Sequence, residues 1–137
     1  MKKRLLLAVL FAIFFVNGAI AGSASLVGDW EGNATAILPD GTIIDDIELG
    51  GTLNDVEGGL FSGEFTFTLP GEDPVTAFAT GYIKAQKIQG IMSYEVDTGI
   101  FKGIGFFDGK LKGKKMVGVV RDLSDGSTTH FTAKRSN

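Results

Sequence analysis

Side chains able to do covalent or metal chemistry are scarce in this chain. It has no cysteine and a single histidine, His130. One imidazole and no thiolate cannot assemble the three or four His/Cys ligands of a usual zinc site. Ser124, Asp125 and Ser127 lie close to His130 in sequence, and together they hold the residue types of a nucleophilic triad. Turn chemistry accounts for them without one, because Ser, Asp and Gly are the residues of a chain reversal. Asp45, Asp46 and Glu48 cluster their carboxylates, but not with the spacing of a calcium loop. Strict alternation gives Asp46 and Glu48 to a solvated strand face and Asp45 to the face of Ile43 and Ile47. No catalytic set, no metal site and no cofactor emerges, so the expectation is a protein that is not an enzyme.

What the sequence does hold is a repeated spacing of glycine around a bulky residue. Gly28-Asp29-Trp30-Glu31-Gly32 contains the only tryptophan. The same spacing returns as Gly59-Leu60-Phe61-Ser62-Gly63, Gly99-Ile100-Phe101-Lys102-Gly103 and Gly109-Lys110-Leu111-Lys112-Gly113. Residues two apart on a strand share a face. Each motif therefore sets one large side chain between two positions that have none. The inside of a tightly curved sheet needs that arrangement, because a ring occupies room its neighbours must vacate.

The elements around these motifs read as strands throughout. They are expected over residues 25–37, 42–53, 60–69, 75–84, 88–96, 100–107, 111–122 and 127–135. In the first, Leu26, Trp30, Ala34 and Ala36 share a face. In the third, Phe61, Gly63, Phe65, Phe67 and Leu69 oppose Ser62, Glu64, Thr66 and Thr68. The fourth offers two faces of equal claim, Phe78 with Tyr82, or Ala77 with Ala79 and Ile83. Pro39-Asp40-Gly41, Pro70-Gly71, Asp97-Thr98-Gly99, Asp108-Gly109 and Asp125-Gly126 are turn signals. Eight sequential strands with short connections predict an all-β fold, an eight-stranded antiparallel up-and-down meander closed into a barrel. A transmembrane barrel also alternates, but Lys110, Lys112, Lys114 and Lys115 on one strand would be costly against lipid.

The first residues read as a targeting segment. Lys2, Lys3 and Arg4 precede an apolar run over residues 5–16, and Ala19-Ile20-Ala21 supplies the small-residue cleavage pattern. Twelve apolar residues are too few to span a bilayer. The division expected is a signal peptide over 1–21 and one barrel domain over 22–137, with the protein periplasmic or secreted. Charge is divided too. Residues 22–83 hold eleven Asp and Glu and no Lys or Arg, whereas residues 84–137 hold ten Lys and Arg against five Asp and Glu. In a meander, sequence halves become spatial halves, an acidic wall and a basic one. Weak electrostatic self-association, or docking to an anionic surface through Lys102, Lys112 and Lys114, follows as an expectation; nucleic acid does not.

Gly28 and Trp30 near the start, with Arg135 near the end, resemble the calycin group of barrels, the lipocalins, fatty-acid-binding proteins and avidins. That resemblance implies a late cation lying over the tryptophan and closing one barrel end. It also implies a small hydrophobic ligand in the interior, which Trp30, Phe61, Phe65, Phe67 and Phe101 would line. A Gly-x-Trp-x-Gly start with a histidine in the last strand is also similar to the nitrobindin-type haem barrels, which would make His130 a haem ligand. Alternation with Phe131, Ala133 and Arg135 instead turns His130 to water. The second reading of function is a barrel with a filled interior that works through its surface, as an inhibitor or an assembly component. Some bacterial barrels similar to calycins inhibit secreted proteases through an N-terminal segment, and residues 22–25 would form a short one here. N-terminal sequencing of exported protein is expected to begin at Gly22; material still starting at Met1 would refute the signal peptide.

Overall fold

The computed structural model describes residues 25–95 and 102–136. The segment 1–21 read as a signal peptide lies outside them, and so does Phe101. Eight strands follow in order: β1 (Gly28–Ile37), β2 (Ile43–Glu57), β3 (Leu60–Thr68), β4 (Val75–Lys84), β5 (Lys87–Tyr94), β6 (Ile104–Lys112), β7 (Lys115–Asp122) and β8 (Thr128–Arg135). Each pairs antiparallel with the next, and β8 returns to pair with β1, so the sheet is a closed up-and-down barrel. Two-residue turns at 58–59, 85–86 and 113–114 close one end, called the turn end below. The longer connections 38–42, 69–74 and 123–127 lie at the loop end, and so do the end of β5 and the start of β6, while the turn expected at Asp97-Thr98-Gly99 lies outside the described residues.

The interior is apolar. Trp30, Ile47, Leu53, Phe61, Phe65 and Phe67 point inward from the first three strands, and Ile88, Met92, Phe107, Met116, Val120 and Phe131 from the rest. A transmembrane barrel of this size carries the opposite distribution, apolar outside and polar within. Closing eight strands leaves an interior just wide enough for side chains, so each ring must find space across the strand. Phe131 stands in register with Gly118 on β7, where a Cβ would come 2.7 Å from the ring's Cζ. Phe65 stands opposite Gly51 on β2, where a Cβ would come 2.6 Å from Cδ1. Phe107 covers Gly90 in the same way. The vacated volume thus lies across the ladder from each of these rings as well as along its own strand.

Strand β4 resolves its ambiguity by the same volume rule. Ala77 and Ala79 are buried, while Phe78 and Tyr82 stand outside. Next door, β3 already sends three phenylalanines inward, and Ala77 and Gly81 stand opposite Phe65 and Phe61. In β1, regular pairing begins at Gly28, and Leu26 folds back to be fully buried under the barrel.

Two expectations need correction. The Asp108-Gly109 pair is not a hairpin. β6 runs through it to Lys112, and the chain reverses at Gly113, whose φ of 64° suits that role. Gly109 instead faces Gly118 across the β6–β7 ladder, where two absent side chains let the backbones close up. Strand six therefore ends at Lys112, and strand seven starts at Lys115. In β2, a bulge opposite Thr35 breaks the alternation. Asp46 takes a φ of 59° there, so Ile43 is exposed and Asp45 turns to the surface, accepting a hydrogen bond from Thr35 Oγ1 at 3.0 Å.

The β4–β5 turn carries backbone strain. Ala85 and Gln86 have φ of 50° and 71°, the two left-handed positions that a two-residue hairpin reserves for Asn and Gly. The left-handed region costs an ordinary residue about 1–2 kcal/mol. The double substitution Ala85→Asn with Gln86→Gly is expected to raise stability by about 1 kcal/mol. The check is a higher urea midpoint at unchanged slope, and an unchanged or lower midpoint would contradict it.

Candidate functional site: a filled barrel with an apolar outer face

Trp30 lies at the turn end with 1 % of its surface exposed. Its Nε1 donates to the Leu26 carbonyl at 2.9 Å, so the polar edge of the indole is satisfied while the rings are buried. The Arg135 guanidinium sits 4.7 Å from the ring centroid. It donates through Nη1 to the Val27 carbonyl and through Nη2 to the Ser25 carbonyl at 2.6 Å. One cation therefore stacks on the indole and holds the incoming chain across the barrel end. Truncating a buried ring of this size typically costs about 3–5 kcal/mol, which makes the pair a structural closure.

Of the other residues expected to line a ligand space, Phe61, Phe65 and Phe67 are all inside and buried. They do not line a chamber. The interior void bounded by Leu53, Phe61, Phe65, Ile88, Phe107 and Phe131 is about 20 Å³. Ligand pockets run to about 300–1,000 Å³, whereas this void has room for about one water. The rings occupy the space they would have enclosed.

His130 is exposed on the outer face of β8, opposite Thr35 and Val119, so it does not face a haem-sized space. The nearby hydroxyls belong to the β7–β8 turn. Ser124 Oγ donates to the Lys102 carbonyl at 2.8 Å, and the Asp125 carboxylate accepts from the Ser127 backbone N–H at 2.8 Å. Ser127 is buried and His130 points the other way, so no triad forms. Lys112 and Lys114 stand at the turn end, whereas Lys102 belongs to the loop end, with the whole of β6 between them. These three cations do not form one patch.

Two features went unread in the sequence. The first is a buried polar group at the loop end. Asp122 is 2 % exposed, accepts from Ser127 Oγ at 3.0 Å and faces the Tyr94 hydroxyl. Gly105 makes room for it, since a Cβ there would lie 2.7 Å from Asp122 Oδ1. Burial pushes the Asp122 carboxyl up to about 6, and the nearby Asp125 charge adds to this against the hydrogen bonds from Tyr94 and Ser127. Burial, and then the Asp122 charge, push the Tyr94 phenol up as well. Only the end of a strand marked Asp122 in the sequence.

The second feature is on the outside. Leu60, Phe78, Tyr82, Ile91, Ile104 and Phe106 are each between 43 % and 50 % exposed, and all project outward from β3 to β6. Val56 extends the patch at its edge. Register places them in rows: Leu60 beside Tyr82, Ile91 between Thr80 and Phe106, and Phe78 one residue from Ile104 across Ser93. A shallow groove of about 700 Å³ runs over Val56, Leu60, Tyr82, Ile91 and Phe106. Its floor is the facing pair Gly81 and Gly90, with the interior rings of Phe61 and Phe107 behind. The polar groups that cross the face bond to one another. Tyr82 Oη donates to Gln89 Oε1, Gln89 Nε2 donates to Asp108 Oδ1 at 3.0 Å, and Asp108 pairs with Arg121 at 3.6 Å. The doubt over the β4 face concealed this patch.

No protein-family model and no curated protein sequence matches this chain. Among solved structures, a redesigned β-barrel is similar to it, with a TM-score of 0.63 at 13 % sequence identity over 82 % of this chain and 92 % of that one. At that identity the likeness is one of fold.

The buried carboxylate gives a pH signature. An Asp of ordinary value near 3.8 raised to about 6 in the folded state binds its proton more tightly when folded. Its contribution to stability is full below pH 4, falls as pH rises from about 4 to 6, and is lost above. Asp122→Asn is expected to remove that fall. Urea midpoints of the two proteins across pH 4–7 should diverge over this window, and parallel profiles would show that Asp122 titrates normally.

Proposed function

We propose that this barrel is a surface-acting interaction module, an assembly component or an inhibitor, and not a carrier of a small hydrophobic ligand. The observation that supports this reading most is the contrast in volume. The interior void is about 20 Å³, while the outer face of β3 to β6 leaves six large apolar side chains in water. Folding alone favours burying such side chains, and exposed apolar patches rimmed by polar residues typify protein–protein contact surfaces. The reading needs no catalytic group, cofactor or metal, and we extend it to a protein without enzymatic activity.

The stacked pair of Trp30 and Arg135 supports a calycin-like origin, with the ligand chamber of that group given over to phenylalanine. The N-terminal signal pattern supports export to the periplasm or beyond. Native mass spectrometry of protein purified from its own compartment tests the central claim. The expected spectrum contains the bare polypeptide mass, alone or as a multiple of itself. A bound small molecule that survives desalting and is released on denaturation would overturn the filled-barrel reading.

A further inference from the structure

We infer that the occupant of the outer face of β3 to β6 is a second copy of this chain, packed with its strands antiparallel to the first. The inference rests on the surface-acting reading and names its partner.

The charge at the two ends of the face points to this occupant. At the turn end, Lys84, Lys87 and Lys110 lie in one register row across β4, β5 and β6. At the loop end the sign reverses. Glu95 follows Tyr94 with its N–H bonded to the Thr76 carbonyl at 2.8 Å, and Glu72 and Asp73 occupy the β3–β4 connection. All of these side chains are exposed, while half-buried Lys102 sets one positive charge against the three carboxylates at the loop end. Stacking two such faces with strands parallel would lay lysine row on lysine row. Turning one copy end over end brings the turn-end lysines of each copy towards the loop-end carboxylates of the other, and does so twice.

The residue spacing fits a two-fold axis through Ile91. Outward residues of β5 run Lys87, Gln89, Ile91, Ser93 and then Glu95, which is symmetric about Ile91. An axis there sets Lys87 of each copy over Glu95 of the other. On β4 it sets Tyr82 over Phe78, on β6 Phe106 over Phe106 with Asp108 over Ile104, and on β3 Leu60 over Glu64, because these lie at the matching rows. Such an interface is isologous, so it closes at two copies. The bonds among Tyr82, Gln89, Asp108 and Arg121 give the polar groups of the face partners within their own copy.

Area sets the strength. Four strands at about 4.8 Å spacing and some five residues at about 3.3 Å bound the patch at roughly 400 Å² per copy, an upper limit because these strands curve round half of the closed barrel. Roughly 800 Å² in total is below the standard interface, so the dimer should be weak, with dissociation in the micromolar range or above. Its charge contacts are exposed, and raising salt from about 0.1 M to 1 M shortens their screening length from about 10 Å to about 3 Å.

Sedimentation velocity on the purified protein, from about 5 to 500 μM at low and at 1 M salt, reads the association. The expected result is a concentration-dependent monomer–dimer equilibrium that weakens with salt and stops at two copies. Phe106→Asp, at an exposed position and checked for folding by circular dichroism, should raise the dissociation constant at least tenfold. Lys87→Glu and Glu95→Lys should each weaken association, and the double variant should restore it. A monomer at every concentration overturns the dimer while leaving the filled-barrel reading intact. Open-ended growth, or a charge-swap double no better than its singles, overturns the antiparallel arrangement. A co-purified ligand overturns the reading beneath it, whatever the sedimentation shows.

Discussion

Interior volume is the constraint on which the rest of this structure depends. Closing eight strands fixes the space within before any side chain is chosen. Into that space the sequence puts one tryptophan and several phenylalanines, and removes side chains wherever two would collide. Gly118 yields to Phe131, Gly51 to Phe65 and Gly90 to Phe107. Ala77 and Ala79 do the same in milder form beside the aromatic strand β3. The alternation of β4, with large side chains out and small ones in, reverses the usual preference and follows from volume alone.

The two barrel ends solve different problems. At the turn end the chain enters across the opening, and its backbone carbonyls need partners there. Arg135 supplies them from β8 while its guanidinium covers the indole of Trp30. At the loop end Asp122 reaches inward beneath the β7–β8 turn, where Gly126 N–H bonds to its carbonyl at 3.0 Å and Ser127 bonds to its carboxylate. That group ties the last hairpin together, and a raised carboxyl pKa is the cost of placing it out of water.

Strand number, sequential order and the inward faces of β1, β3 and β8 were legible in the sequence because alternation there is regular and the faces differ sharply. The misplaced β6–β7 turn shows where local signals compete. Asp108-Gly109 is a strong hairpin dipeptide in isolation, but the glycine was required four residues earlier than the reversal, for close approach to Gly118. The β2 bulge was invisible because Asp46 takes a left-handed conformation that Asp tolerates without a distinctive pattern. The outer apolar face was hidden for a related reason. Phe78 and Tyr82 look like core residues to any reading of one strand, and only the volume already claimed by β3 sends them out. The Trp30 and Arg135 positions were legible as a pair only through a resemblance, since nothing in the spacing of residues so far apart places one over the other.

A closed and filled barrel has few ways left to recognise anything. It offers no free sheet edge, so a partner cannot add a strand to it. Among the described residues, its interior void is about 20 Å³, far below ligand size. What remains is side chains on the outer wall, and most of that wall carries Asp, Glu, Thr or Lys. The exception is the sector from β3 to β6, where the middle rows are apolar and the charges retreat to the ends with opposite signs. In the sequence the same charges divide lengthwise, acidic first half and basic second half. Folding the chain as a meander adds a second division along the barrel axis, because the lysines of β4 to β6 gather at the turn end while Glu72, Asp73 and Glu95 lie at the loop end. Apolar contact between two flat-lying strand faces is non-directional. It is this axial charge division that gives such a face an orientation, and it is what favours the inverted second copy we propose.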